Sequence, residues 1–202
     1  MGQILIGIDE AGMGTLAGPM TAAVVVIEED HVPAGVRDSK KLGEEQREEL
    51  AALIMDEALF YRVVVRTPEE IDERGLSACW ESAVRELIAS ISVIKLSKRH
   101  EAILDGNRTV GVAHVRPVVK ADDKFPAVSA ASILAKYTQC CWMDDYHLEY
   151  PGYGFDRHRG YGTSVHKRRL EELGPCPAHR KSYKPVKEAL RSQRCGSSQR
   201  SE

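Results

Sequence analysis

Residues 4–19 of the chain read ILIGIDEAGMGTLAGP. The apolar run from Ile4 to Ile8 predicts a short buried strand, and the glycines and the proline that close the stretch predict a tight turn. Asp9 and Glu10 stand between the strand and the turn. Two consecutive acids are unusual there as mere surface residues, and a bulge or a turn would let both carboxylates converge on a ligand.

Outward from this stretch, apolar periodicity predicts an alternation of strands and helices. Further strands are predicted at residues 20–27, 59–66, 102–105 and 115–119, the last at a sheet edge because it contains a proline. Helices are predicted at residues 42–58, 77–90, 129–143, 163–173 and 185–190. This order indicates the α/β class with a helical C-terminal end. We expect one compact domain over residues 1–190 and a polar, disordered tail over residues 191–202.

Charge, hydropathy and cysteine content narrow the function. The chain has 202 residues and a formal net charge of -2, whereas a protein that coats nucleic acid indiscriminately is usually basic. Any nucleic-acid contact is therefore expected to be a local patch. No secretory leader and no run of about 18 apolar residues is evident, so we expect a cytoplasmic protein without a membrane partner. The five cysteines form no CxxC pair, which argues against a disulfide framework or a zinc site.

Two more aspartates follow apolar runs, as Asp9 and Glu10 do. Asp105 ends the run at residues 102–105, and Asp122 comes just after the run at residues 115–119. Mg²⁺ prefers oxygen ligands, and two such ions about 4 Å apart can activate a water and stabilise the leaving oxygen in phosphodiester cleavage. Acids at strand ends also form turns and helix caps. The spacing by itself therefore leaves both a metal site and a structural role open.

Seven ordered motifs make the chain resemble the type 2 ribonucleases H, the ribonuclease HII family. They are GIDEAGMGTLAGP at 7–19, DSKKL at 38–42, LDGN at 104–107, VKADDK at 119–124, SAASILAK at 129–136, HRGYGT at 158–163 and GPCPAHRKSY at 174–183. One such motif arises readily by chance, but seven in family order over nearly the whole chain do not.

The resemblance implies a ribonuclease H-like fold, a mixed β-sheet flanked by helices, with a helical C-terminal extension. It implies an endonuclease that hydrolyses the RNA strand of RNA–DNA hybrids, or incises duplex DNA at embedded ribonucleotides, and leaves 5′-phosphate and 3′-hydroxyl ends. Two Mg²⁺ or Mn²⁺ ions are the implied cofactors, and a monomer is expected. The implied catalytic and metal-binding residues are Asp9, Glu10, Asp105 and Asp122, with Asp123 as a solvated neighbour.

A second set of residues is expected to hold the substrate: Gly12, Met13, Gly14, Lys40 and Tyr161. Backbone amides of a glycine-rich turn can approach a ribose closely because no Cβ intervenes, although a plain tight turn needs glycine too. Lys40 occupies the family's lysine position and suits a phosphate, although paired lysines are usually solvated. Tyr161 ends an aromatic, basic stretch that reads as a loop, and its ring either packs on the DNA strand or anchors the loop.

The chain departs from the family pattern at Met13 and at Gln139. The family usually has Gly-Arg-Gly where this chain has Gly12-Met13-Gly14, and methionine lacks the planar fork with which arginine bridges phosphates. Gln139-Cys140 replaces a usual Arg-Asp pair. All four implied ligands remain, so we expect the chemistry to persist with an altered preference for single embedded ribonucleotides.

Two alternative functions remain. A DNA-directed nuclease of the same fold would lack the ordered motifs. A non-catalytic module that binds hybrids would gain nothing from concentrated negative charge, because its ligand carries phosphates.

Overall fold

The computed structural model describes residues 2–36, 42–91 and 100–197, the last four of these by their backbone alone. Within these residues, the strands are β1 (Ile4–Ala11), β2 (Met20–Glu28), β3 (Phe60–Arg66), β4 (Ala102–Asp105) and β5 (Val115–Val118). The α-helices are α1 (Glu44–Glu57), α2 (Pro68–Arg74), α3 (Leu76–Ile91), α4 (Pro126–Glu149), α5 (Phe155–His158), α6 (Ser164–Leu173) and α7 (Lys184–Ser197). Short 3-10 turns cover Glu29–His31 and Pro151–Tyr153.

The five strands form one mixed sheet in the order β3-β2-β1-β4-β5. β1 runs antiparallel to β2 and parallel to β4, and β5 runs parallel to β4. β5 contains Pro117 and lies at the edge of the sheet, as predicted, since proline cannot donate to a further strand. The mixed sheet flanked by helices confirms the predicted α/β architecture.

Small residues let α4 pack unusually close to the sheet. A Cβ on Gly7 would lie 2.1 Å from the carbonyl carbon of Ala127, so only glycine fits there. Ala130 and Ala131 on the same helix are buried in a cluster with β2 and α1. The close approach brings the polar residue Ser132 of α4 to the carboxylate of Asp9.

The chain divides into two compact units. The first holds residues 1–11, 21–65 and 80–138, and the second holds residues 12–20, 66–79 and 139–202. The sequence showed no such division, because each unit is assembled from separate stretches of the chain. The single catalytic domain over residues 1–190 stays a prediction.

Several elements differ from their predicted bounds for identifiable reasons. β1 continues past Ile8 through both acids to Ala11. α2 was not predicted, although Thr67 caps it by accepting from the Glu70 amide and a proline follows at its first position. α3 begins at Leu76, so Ser77 is inside the helix.

The C-terminal half of the chain is more helical than predicted. The stretch from Tyr150 to Tyr161, predicted as a loop, contains a 3-10 turn and α5. α7 continues to Ser197, within the segment for which disorder was predicted. In the part of the chain that the structure describes, no helix combines the length and apolarity needed to cross a membrane.

Candidate active site

Asp9 and Glu10 lie within β1 and point to opposite faces of the sheet. The pairing of β1 with β2 is unbroken from Ile4 to Ala11, so the bulge considered above is absent and the side chains alternate as in any strand. Asp9 faces α4, where it accepts a hydrogen bond from the Ser132 side chain. Glu10 faces α3, where its Oε2 accepts from Trp80 Nε1 at 3.2 Å.

Asp105 joins these two acids from the adjacent parallel strand. β1 pairs with β4 up to the partners Ile8 and Leu104, and Asp105 is the last residue of β4. Its Oδ1 accepts from the Ala121 amide at 2.6 Å. Its negative charge acts on both Asp9 and Glu10 and raises the pKa of each, although burial is the larger cause for both. We call Asp9, Glu10 and Asp105 the acidic cluster.

Burial and mutual repulsion disfavour the ionised form of this cluster. Asp9 is 6% exposed, and burial, followed by the charge of Glu10, raises its pKa to about 8. Burial also raises the pKa of Glu10, against which the Trp80 hydrogen bond and the charge of Arg108 act. A bound divalent cation would favour the ionised form of these carboxylates, because its charge offsets both burial and repulsion and it binds deprotonated oxygens.

Asp122 follows Ala121, whose amide binds Asp105, and it is partly buried while Asp123 is exposed. Its backbone carbonyl accepts a hydrogen bond from the Ser129 hydroxyl near the start of α4. The chain thus places Asp122 beside Asp105. This arrangement agrees with the choice of Asp122 over Asp123 as the implied ligand, which stays a prediction.

Carboxylate oxygens are the ligands that Mg²⁺ and Mn²⁺ prefer. No three of the four proposed ligands place an oxygen each within 4.8 Å of one another, as expected of like charges. Of the side chains that the structure describes, only Glu28, Asp30 and His31 meet that spacing. Those residues lie largely at the surface, where acidic groups commonly cluster without a metal.

The glycine turn and Tyr161 come together in the second unit. Thr15 and Tyr161 form an isolated antiparallel bridge, which places Tyr161 beside the turn. A Cβ on Gly12 would lie 2.4 Å from the Pro19 carbonyl oxygen, so this glycine closes the turn. Gly14 is exposed and has open space where a Cβ would stand, which leaves room for a ligand near the backbone. The Tyr161 side chain is also exposed.

Arg180, which is fully buried, fixes the shape of the glycine turn. Its guanidinium donates to the carbonyls of Gly12 at 2.6 Å, Met13 at 3.4 Å and Gly18 at 3.0 Å. It also donates to the Tyr183 hydroxyl at 3.0 Å. Neutral carbonyls thus surround this buried cation, which holds three points of one turn at once.

Two buried histidines, His166 and His179, support the backbone of Tyr161, and we call them the histidine pair. His166 Nδ1 donates to the Tyr161 carbonyl at 2.9 Å, and His179 Nδ1 accepts from the Cys176 amide at 3.1 Å. His179 Nε2 must therefore carry the hydrogen that it donates to His166 Nε2 at 3.0 Å. Both rings are neutral, since burial lowers the pKa of His166 to about 4 and that of His179 to about 3.

The basic residues before Tyr161 differ in their availability to a phosphate. Arg159 is bound to the Asp144 carboxylate and the Cys140 carbonyl, and its own carbonyl accepts from Gln139 Nε2 at 3.1 Å. His158 turns inward to the Tyr153 carbonyl at 2.9 Å. The Arg157 side chain is 88% exposed, and its Nε lies 3.9 Å from the Asp156 carboxylate. Of the three basic residues at positions 157–159, one arginine is thus exposed to solvent, and the other two bind neighbouring groups of the protein.

Sequence reasoning missed four residues whose side-chain N–H or O–H groups shape these sites: Trp80, Arg108, Ser132 and Arg180. Only Ser132 and Arg180 lie in family-like motifs, and no local pattern showed what either contacts. Lys40, proposed for phosphate binding, lies outside the described residues.

The family model and the curated relatives that match this chain carry the same family name. A family model described as Ribonuclease HII matches residues 6–186. A Ribonuclease HII from Halorhodospira halophila is 45% identical over 188 residues, which are 92% of this chain and 94% of that protein. One from Polaromonas sp. is 42% identical over 189 residues, 93% of each. The crystal structure of ribonuclease H2 from Pyrococcus horikoshii matches with a TM-score of 0.81 and 27% identity, covering 95% of this chain and 99% of that chain.

Proposed function

The chain belongs to the ribonuclease HII family and is a metal-dependent ribonuclease H, and from this premise we propose that it cleaves RNA–DNA hybrids by two-metal-ion catalysis. Asp9, Glu10, Asp105 and Asp122 hold the ions, which are Mg²⁺ or Mn²⁺. When bound, such a pair activates a water and stabilises the departing ribose 3′-oxygen. The products carry 5′-phosphate and 3′-hydroxyl ends.

The observation that supports this proposal most is the self-repulsion of the acidic cluster. Three carboxylates lie on neighbouring strands, and the charges of Glu10 and Asp105 add to burial in raising the pKa of Asp9, as the charge of Asp105 does for Glu10. The charge of Arg108 acts on Glu10, but the pKa of Glu10 is still raised, so the cations of the protein do not balance the cluster. Positive charge supplied by a ligand resolves the conflict.

The residues proposed to hold the nucleic acid are Gly12, Met13, Gly14, Tyr161 and Lys40. The open side of Gly14 admits a ribose close to the backbone, and the exposed ring of Tyr161 can pack on a sugar or base. Lys40 is proposed to contact a phosphate, and its loss would flatten the salt dependence of hybrid binding. We also propose a monomer in the cytoplasm that removes ribonucleotides from DNA.

Cleavage of defined duplexes tests the proposal. A labelled RNA–DNA hybrid and a DNA duplex of the same sequence are incubated with Mg²⁺, with Mn²⁺ or with EDTA. We expect cleavage of the hybrid alone, only with a divalent ion, and 5′-phosphate ends on the products. Equal cleavage of the DNA duplex would favour the DNA-directed nuclease, and metal-independent binding without cleavage would favour the binding module.

Asp122 and Asp123 give a matched pair of variants for the same assay. Asp122→Asn removes a proposed ligand and should reduce cleavage by at least about a thousandfold, roughly 4 kcal/mol in the barrier. Asp123→Asn makes the same chemical change at the exposed neighbour and should stay within about tenfold of the parent. Loss of activity in Asp123→Asn with activity kept in Asp122→Asn would reverse the assignment.

A further inference from the structure

Trp80 is buried in the first unit with its one polar atom aimed at the acidic cluster. Its side chain is 3% exposed, and its Nε1 donates to Glu10 Oε2 at 3.2 Å. A buried indole N–H needs an acceptor. The acceptor here is the carboxylate of Glu10, which the family resemblance makes a metal ligand.

Arg108 covers the ring of the same tryptophan. Its guanidinium carbon lies 4.3 Å from the centroid of the Trp80 ring, a cation–π contact. Arg108 is three residues beyond Asp105, in the segment that leaves β4, and its charge reaches Glu10. The indole N–H of Trp80 therefore contacts one proposed metal ligand, Glu10. The face of its ring contacts Arg108, which comes shortly after a second proposed ligand, Asp105.

Glu10 needs such support more than Asp9 does. Asp9 accepts from the Glu10 amide at 2.7 Å and from the Ser132 side chain, so two donors hold its carboxylate. The longer glutamate side chain has an additional rotatable bond and, among the residues that the structure describes, a single hydrogen-bond donor, Trp80. Hydrogen bonds from neighbours fix the orientation of metal ligands, and their loss typically weakens metal affinity or activity about 10–100-fold.

We propose that Trp80 is a positioning residue that orients Glu10 for a divalent cation, with Arg108 holding the indole in place. The inference rests on the proposed function, because it takes Glu10 to be a metal ligand. It predicts that the indole N–H matters independently of the volume of the ring.

Trp80→Phe isolates the N–H, since it keeps an aromatic ring in the core. Trp142→Phe is the matched control: it removes the other tryptophan of the chain, which packs on Tyr146 at 5.9 Å between ring centroids in the second unit. Calorimetric titration with Mg²⁺ and with Mn²⁺ should show about tenfold weaker binding for Trp80→Phe and unchanged binding for Trp142→Phe. Hybrid cleavage by Trp80→Phe should recover as the metal concentration is raised.

A fluorescence measurement keeps the inference testable even if Trp80→Phe does not fold. In the Trp142→Phe protein, Trp80 is the only fluorophore of its kind, and Mg²⁺ should shift its emission. The shift should disappear in Trp142→Phe/Glu10→Gln, where an acceptor for the indole remains but the carboxylate is lost. Thermal melting of each variant shows whether a change in affinity comes from unfolding.

The outcomes separate the inference from the function beneath it. If the parent neither cleaves hybrids nor binds divalent cations, both are overturned. If the parent does both, but Trp80→Phe has parental affinity or Mg²⁺ leaves the Trp80 emission unchanged, Trp80 only packs the core and the inference alone fails. Weaker binding with an unchanged melting temperature supports it.

Discussion

The acidic cluster of the first unit and the histidine pair of the second are groups of buried or partly buried titratable side chains, and their polar atoms are satisfied in opposite ways. In the histidine pair, each of the four ring nitrogens has a partner and the proton positions follow from those partners. In the acidic cluster, hydrogen bonds coexist with like charges that raise the pKa of Asp9 and Glu10 in addition to burial. A buried group whose hydrogen bonds are complete stabilises the fold without a ligand, whereas a group of like charges that repel each other indicates a site for a ligand.

The two groups also oppose each other in pH dependence. Asp9 has a folded pKa of about 8 against an ordinary value of 3.8, so the unfolded chain releases its proton first and metal-free stability falls as pH rises between these values. His166 has a folded pKa of about 4 against 6.5, so the unfolded chain takes up a proton first and stability falls as pH drops below 6.5.

Neutralising Asp9 should have the largest effect and the sharpest contrast between stability and activity. We expect Asp9→Asn to lose at least about a thousandfold in hybrid cleavage, because one proposed ligand is gone. In EDTA the same variant should gain about 0.5–2 kcal/mol in unfolding free energy at pH 8, because the substitution removes a buried carboxylate that its acidic neighbours repel. Urea unfolding and single-turnover cleavage measure the two quantities.

Activity of Asp9→Asn within about tenfold of the parent would contradict the metal site. Hybrid binding in EDTA, measured with the same variant, should be kept or improved, because less negative charge meets the phosphates.

Removing the ring of Tyr161 tests whether the second unit contributes to catalysis. Tyr161→Ala should lower hybrid cleavage about 100-fold through poorer placement of the scissile bond. The control is Tyr161→Phe, which keeps the ring and should remain within about tenfold of the parent. Equal losses in both variants would move the role from the ring to its hydroxyl, and no loss in either would make Tyr161 a loop anchor.

Acid should destabilise the protein through the histidine pair. Each pH unit below 6.5 should cost about 1 kcal/mol per histidine until the folded pKa is reached. His166→Gln should flatten this acid limb of an unfolding free energy profile measured in EDTA. His31→Gln, at an exposed histidine, should leave the limb unchanged. A steep acid limb retained in His166→Gln would show that another group takes up the proton.

The smallest effect is expected at Met13, where the chain departs from its family. Met13→Arg should raise incision at a single embedded ribonucleotide relative to a long hybrid by about threefold to tenfold, below the full value of a charge-assisted hydrogen bond of about 1.5–3 kcal/mol. The gain is reduced because the charge of Arg180 already binds the carbonyl of Met13. Both substrates are compared at one salt concentration, and an unchanged ratio would make Met13 a neutral replacement.

The features that could be predicted from the sequence depend on residues close to one another in the chain. The strands and most helices followed from apolar periodicity, and the mixed sheet followed from the family-like motifs. The acids were found because they stand beside an apolar run. The strand was expected to end with that run, but β1 continues through Asp9 and Glu10.

What the sequence could not predict depends on contacts between distant residues. Trp80 is 70 positions from Glu10, and in the sequence it is one apolar residue of an amphipathic helix. Arg180 is 168 positions from Gly12, and nothing near it shows that it is buried. A hydrogen bond across such a separation leaves no periodic trace in either segment.

The bond from Arg180 to Gly12 has a consequence for how the protein is made on the ribosome. Every proposed metal ligand is synthesised by residue 122, some sixty positions before the arginine that shapes the glycine turn. A nascent chain thus carries all of its proposed metal ligands before the turn proposed to hold nucleic acid can take its final form.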